Sequence, residues 1–533
     1  MLSTPSESAP STSFNAWQWW LAFVVMTGAA VLAQWMNGAY SADFGADPDE
    51  PAHAVTCLMM RDYFASGLWQ GASPMKFAQD YYDHFPKVAL GHYPPGFYLI
   101  AGLWLLPSAT KTALMLLIGF LTGGLGTLTA GLALRSGLDR WSSMLVGLWL
   151  VVLPVTQKQA MLVMSDVLLV IGCLSATWLW ARFLERTTVR NALLFGGVAA
   201  FAILVKGSAM ALALVPVISI IVLRRWTLLK RLAFWIAPLP VVLTALPWTL
   251  LTMEITNEGM LDQSVASYFP QAFKYYSEAS LYTFGWVLLA VAMLGLGRWI
   301  YGAVKHRNPS PLAVSMLGFA VALVGLYLVS PTGLSARYLL PLAPLLVIAA
   351  AHGWWLWRAD AHPDGYRHVA LLVLIIQSHF FVEGGPSKVA SGFSSVARHL
   401  LESGPPGKVL VVSDARGEGG LVAELAFLSP DRLKQPWTVV RGSKFMSKSD
   451  WIGRGYQAAF ESAEEFRAAA QRESIAWVVE DTGVPEGYVQ RHHQQLAEWS
   501  APWSPAYETQ AEKQWVSGKH ALKLFHLPTI TKP

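Results

Sequence analysis

Ionisable side chains are scarce where this sequence is most apolar, and the few found there form four groups. Placing such a residue at membrane depth costs about 3 kcal/mol on insertion scales, so each is a candidate for chemistry. The first group is Asp47-Pro48-Asp49-Glu50-Pro51-Ala52-His53, just beyond the first apolar run. A carboxylate held beside a hydroxyl can take its proton as a new bond forms, which is general-base chemistry. The same acids also suit the start of the helical run that follows, where Asp47 or Asp49 would cap free N–H groups. The second is Asp166, in the apolar stretch from Met161 to Gly172 with no basic neighbour in sequence. It either caps a helix with Ser165 or lines a polar cavity. The third is Lys206, between two apolar runs and followed by Gly207; it either snorkels to headgroups or binds a phosphate. The fourth is Arg337-Tyr338. The guanidinium fork matches a phosphate, and an interfacial anchor is the other reading. His92 and Tyr93 lie at the edge of the same outer loop, and His92 is a further phosphate-binding candidate.

Taken together, the acids and cations suit a reaction whose leaving group is a lipid-linked phosphate. Cations would stabilise charge developing on the phosphate, and an acid would activate the acceptor. The catalytic candidates are therefore Asp49, Glu50 and Asp166; the phosphate-binding candidates are Lys206, Arg337, His92 and Tyr338. Glu50 and His53 have a spacing that can hold a metal on a helix. A metal site needs several convergent ligands, so no metal or other cofactor is expected to be required.

Positioning these groups falls to a membrane bundle. The chain has 533 residues, 54% hydrophobic and 14% charged, against about 25% charged in soluble domains. Apolar runs of span length are read at 17–37, 111–134, 141–157, 165–182, 191–206, 207–223, 232–252, 281–299, 311–330, 337–357 and 368–383. The run from Pro95 to Leu106 is too short to cross and is expected to lie at the interface. One set of breaks holds Arg135, Arg140, Arg182, Arg186, Arg190, Arg224, Arg225, Lys230, Arg231, Arg298, Lys305, Arg307, Arg358 and Arg367; the short breaks of the alternate set hold few basic residues, Lys158, Lys206, Lys274 and Arg337. The basic set belongs to the cytoplasm. This gives about eleven spans with the N-terminus inside, and places the first loop (38–94) and everything after 383 outside. The net charge of +5 follows from these loops and does not point to nucleic acid.

Residues 1–16 read as a disordered cytoplasmic tail, 17–383 as the membrane domain with a juxtamembrane helix at 95–107, and 384–533 as an α/β domain outside. In that last part Lys408–Asp414 and Ile475–Asp481 are buried-strand patterns, the run from Glu461 is an amphipathic helix, and the stretch from Ala521 closes as a strand. Ala415–Gly420 reads as a strand-to-helix turn, with a phosphate cradle as the alternative.

Several of these features occur in a recognisable order: Asp49-Glu50 after the first span, Pro94-Pro95 closing the first loop, Asp166, Lys206-Gly207, Leu243–Trp248 and Arg337–Pro344. Over roughly residues 17–357 the chain resembles the GT-C type membrane glycosyltransferases, especially the lipid A aminoarabinose transferases and the protein O-mannosyltransferases. The resemblance implies a polyprenyl-phosphate sugar donor and inverting transfer outside the cytoplasm, with the base drawn from the first-loop acid pair; Asp49 matches the family's first-loop aspartate. Asp166, Lys206 and Arg337 fall where the family places charged residues near the donor. One departure is Tyr93, where aminoarabinose transferases carry a lysine before the Pro-Pro; His92 or Lys87 would have to substitute. The acceptor would be a hydroxyl or phosphate of a lipid, a glycan or a protein, and the setting a bacterial inner membrane. The alternative is a transporter or flippase of a lipid-linked saccharide using the same cavity without chemistry. Against it, the sequence shows no internal repeat and the polar residues crowd one face.

Overall fold

A computed structural model describes residues 14–527 apart from 307–308, 357–363, 381–386, 405, 431, 435, 450–452 and 515. The tail 1–13, Arg307, Arg358 and the boundary expected at 383/384 lie outside the described residues, as does the Arg367 side chain.

Among the described residues, seven helices are long and apolar enough to cross a membrane: Ala16–Met36, Lys111–Arg135, Asp166–Glu185, Leu232–Leu251, Val265–Gly302, Pro311–Val329 and Ala336–Gly353. Shorter apolar helices run over Arg140–Val152, Val189–Val205, Gly207–Leu223 and His368–Phe380. Short polar side chains start several of them. Thr110, Asp139 and Thr188 each accept an N–H bond from the first turn that follows, satisfying donors that no helix can satisfy itself.

The segment expected at 141–157 is not continuous. It breaks at Leu153, and a separate helix, Pro154–Ala160, follows. Proline lacks the N–H that would carry the first helix onward and clashes with the preceding turn. The fully buried Gln34 ties the end of this second helix to the helix Lys111–Arg135, donating to the carbonyls of Met115 (3.1 Å) and Ala160 (2.7 Å). Other segments are also irregular. The first turns after Lys206 and after Ser335 are tightly wound 3₁₀ helices, and the long helix Val265–His306 kinks at Gly285 (φ 71°). The apolar stretch after Pro95 forms a helix of nine residues, Gly96–Trp104.

Beyond residue 387 the chain forms a five-stranded sheet in the order Thr438–Arg441, Lys408–Val412, Ile475–Asp481, Val516–His526, Tyr507–Lys513. The first three strands are parallel, and the last two form an antiparallel hairpin. The expected amphipathic helix spans Ala463–Arg472. Asp414 caps the helix Ala415–Leu428, so Ala415–Gly420 forms the start of that helix. This helix packs on the first-loop helix Glu50–Asp62. Its glycines are there for close approach: a Cβ on Gly420 would sit 2.9 Å from the Phe44 carbonyl oxygen, and one on Gly419 2.9 Å from Pro51. Arg432 grips Asp62 with two bonds of 2.7 and 2.9 Å. Glu424 accepts from Phe44 N–H (2.9 Å) and Lys111 (3.1 Å). The α/β domain is thus packed against the first loop and holds it from one side.

Candidate active site

The loop that carries the first acid group is stiff for local reasons. The Asp47 carboxylate accepts the Asp49 N–H at 2.9 Å, a turn that short acidic side chains favour. Pro48 fixes the residue between them, and Pro51 occupies the first turn of the helix Glu50–Asp62, where a missing N–H costs nothing. Asp49 stands at the cap position of that helix but makes no cap bond. Its carboxylate turns instead to Arg337, which bonds Asp49 at 2.6 Å and Asp47 at 3.2 Å. The Tyr93 hydroxyl donates to the same Asp49 oxygen at 3.1 Å.

Asp166 opens its helix, and its N-cap Ser165 makes no side-chain cap bond. Lys206 reaches Asp166 at 2.8 Å with both side chains buried. The Tyr338 ring lies between the two cations, 4.9 Å from Lys206 Nζ and 5.4 Å from Arg337 Cζ, distances at which a ring face attracts positive charge. The structure therefore gathers Asp49, Asp166, Lys206, Arg337 and Tyr338 into one cluster joined through that ring. His92 lies next to it. With Tyr93, Lys206, Met210, Trp248 and Met253 it lines a cavity of about 230 Å³. Lys87 is directed elsewhere, toward the Ala415 carbonyl oxygen at 3.4 Å.

Burial alone would raise the Asp49 carboxyl, but Arg337 and the Tyr93 hydroxyl override it and hold its pKa at about 2. Asp47 shows the opposite balance. Burial lifts it above the ordinary carboxylate value against the pull of Arg337, and the charge of Asp49 adds to the lift. Burial also keeps His53 neutral, with a pKa of about 4. Its Nδ1 pairs with the Tyr98 hydroxyl at 2.8 Å, while Nε2 has no protein partner. Asp166 Oδ2, Trp248 Nε1 and Arg337 Nε are likewise buried without a protein partner. Leaving such atoms unpaired costs about 1–3 kcal/mol each, a cost that a polar molecule held in the site would offset.

Glu50 sits differently from its neighbour. It is fully buried, and its two oxygens accept from the N–H groups of Gly45 (3.0 Å), Ala46 (3.1 Å) and Val163 (3.2 Å) and from Lys388 Nζ (2.5 Å). With every lone-pair direction in use, Glu50 braces the loop and has no capacity left for a substrate proton. This corrects its place among the catalytic candidates. The same saturation, with His53 Nδ1 turned to Tyr98, argues against the Glu50–His53 metal pair, and no metal-holding group of three or more ligands occurs among the described residues. Lys388 was not legible as a partner because 338 residues separate it from Glu50. Lys388→Met is expected to destabilise the protein by about 3–5 kcal/mol, since it strands a buried carboxylate. A lowered melting temperature in detergent checks this.

No protein-family profile matches the chain, and no curated protein does. Solved structures do. The crystal structure of ArnT from Cupriavidus metallidurans in the apo state superposes with a TM-score of 0.55 at 16% identity, covering 96% of this chain and 98% of that one. This chain has the fold of ArnT. It is the fold expected from the order of the motifs over roughly residues 17–357. ArnT bound to undecaprenyl phosphate gives a TM-score of 0.49 at 15% identity over the same shares of both chains. The mycobacterial arabinofuranosyltransferase AftD gives 0.45 at 13% identity, covering 97% of this chain and 40% of AftD.

Proposed function

We propose that this protein is an inverting glycosyltransferase that moves a sugar from a polyprenyl phosphate to an acceptor hydroxyl on the outer face of a bacterial inner membrane. In this reading the chain crosses the membrane about eleven times with the N-terminus inside, and the first loop and the α/β domain lie outside. The observation that carries the proposal is the Arg337 bridge: one guanidinium binds Asp49 and Asp47 at 2.6 and 3.2 Å beside the buried Lys206–Asp166 pair. Cations committed to carboxylates at rest are ready to exchange one anionic partner for another.

The Lys206 cavity would take the donor, with apolar walls for the lipid and Lys206, His92 and Tyr338 near the phosphate. As the phosphate draws on Arg337, the hold on Asp49 loosens and its carboxylate becomes more basic. Donor binding thereby arms the base. The acceptor oxygen attacks the anomeric carbon, and the carbon–oxygen bond to phosphate breaks with its electron pair going to the phosphate. The acceptor proton passes to Asp49. Lys206 and Arg337 stabilise the charge on the departing polyprenyl phosphate.

The test supplies purified protein with polyprenyl-phosphate sugars one at a time, radiolabelled in the sugar, with membrane extract as acceptor. Transfer of label to an acceptor by wild type is the expected result. Movement of donor across a liposome bilayer with no transfer from any donor would overturn the enzyme in favour of a flippase.

A further inference from the structure

The candidate site has a second side that binding of the donor leaves unused. Asp47 and Arg337 also line a separate cavity of about 180 Å³, together with Lys158, Gln159, Tyr282 and Ser335. Lys158 and Gln159 belong as well to the wall of a neighbouring cavity of about 200 Å³, where Lys388 and Gln514 face the bundle from the α/β domain. Gln514 is supplied by the turn between the strands Tyr507–Lys513 and Val516–His526. The two cavities thus share a wall between the seam of the two domains and the acid cluster.

Two residues lining the first of these cavities carry a buried polar atom without a protein partner, Gln159 Oε1 and Arg337 Nε, and Gln159 is only 6% exposed. An amide oxygen in that state is short of a donor, which a hydroxyl-bearing molecule would supply. The surrounding groups are a carboxylate, an amide, hydroxyls, the Arg337 guanidinium and the Lys158 ammonium around one aromatic ring. Such a lining matches a molecule with many hydroxyls that both donate and accept, and with ring faces that rest on an aromatic. It contrasts with the Lys206 cavity, walled by Ile203, Met210, Trp248 and Met253.

We infer that this second cavity binds a saccharide, and that the acceptor is therefore a glycan entering from the seam between bundle and α/β domain. The words donor and acceptor rest on the transferase reading; the binding claim does not. The arrangement also suits inversion, which needs nucleophile and leaving group on opposite faces of the anomeric carbon. Two distinct cavities each hold members of the cluster, Lys206 in one and Asp47 with Arg337 in the other.

Saturation-transfer NMR on the full-length protein in detergent tests this with soluble di- to tetrasaccharides of hexose, N-acetylhexosamine and pentose. Saturation transfer to at least one of them is expected. Affinity should fall about tenfold in Gln159→Leu and in Ser335→Val, the loss of one good hydrogen bond. Melting temperature identifies folded variants, and if one does not fold the other carries the test. No binding by wild type, or binding that the folded variants retain, overturns the inference. Donor cleavage is read separately, as labelled sugar released to water by wild type. Cleavage without glycan binding sinks the inference and spares the transferase. Glycan binding without cleavage does the reverse.

Discussion

Asp49→Asn is expected to give a folded protein whose transfer rate is lower by about 10²–10⁴-fold, the range that a positioned general base supplies. The substitution keeps size and shape. The amide oxygen still accepts from Arg337 and from the Tyr93 hydroxyl, which now reach Asp49 at 2.6 and 3.1 Å. Only the capacity to take a proton is lost. The loss should therefore appear in kcat, with the donor KM changed little, because Lys206 and Asp166 are untouched. Single-turnover label transfer and a melting curve check the two halves of the claim. Wild-type turnover by a folded Asp49→Asn protein would remove Asp49 from the chemistry and leave Asp47, the other acid on Arg337, as the candidate base.

Much of this cluster was legible before any coordinates, because charge is scarce in the apolar part of the chain. Asp166, Lys206 and Arg337 stood out for that reason, and the structure joins them with Asp49. What sequence did not carry was the pairing. Asp166 had no basic neighbour along the chain, yet Lys206 meets it from 40 residues away. Asp49 and Glu50 are adjacent and chemically alike, and only their partners separate them. Asp49 meets Arg337 and Tyr93 at the edge of the site, whereas Glu50 is sealed among backbone N–H groups and Lys388. Helix direction explains the split, since successive residues at a helix start point to different sides. The fold was legible in its apolar runs, less so in its breaks. Pro154 announced one and was still read through, because the hydropathy continues across it. Gln159 carried no signal at all; an amide in a polar stretch is ordinary until its oxygen is found buried and unpaired.

Arg337→Gln is expected to lower kcat/KM by about 10²–10³-fold, the loss that follows removal of one preorganised charge donor from an anionic transition state. Lysine would not restore it, since a single ammonium cannot span two carboxylates as the planar fork does. The same change makes a second, independent prediction in pH. In the free protein the deprotonated form of Asp49 is secured down to a pKa of about 2, because Arg337 outweighs the effect of burial. Without the guanidinium the two strongest influences that lower the pKa are gone, weaker ones such as the Tyr93 hydroxyl are left to oppose burial, and the pKa rises to a higher value. Activity that needs the carboxylate disappears as pH falls through that value, so the acid limb of kcat/KM moves to higher pH in the variant. In wild type a smaller shift of the same sign separates the two profiles. The limb in kcat reports the donor complex, in which phosphate shares Arg337, and so lies at higher pH than the limb in kcat/KM, which reports the free protein. Coincident limbs in wild type would mean that phosphate does not draw on Arg337, and would leave Lys206 as the cation that receives it.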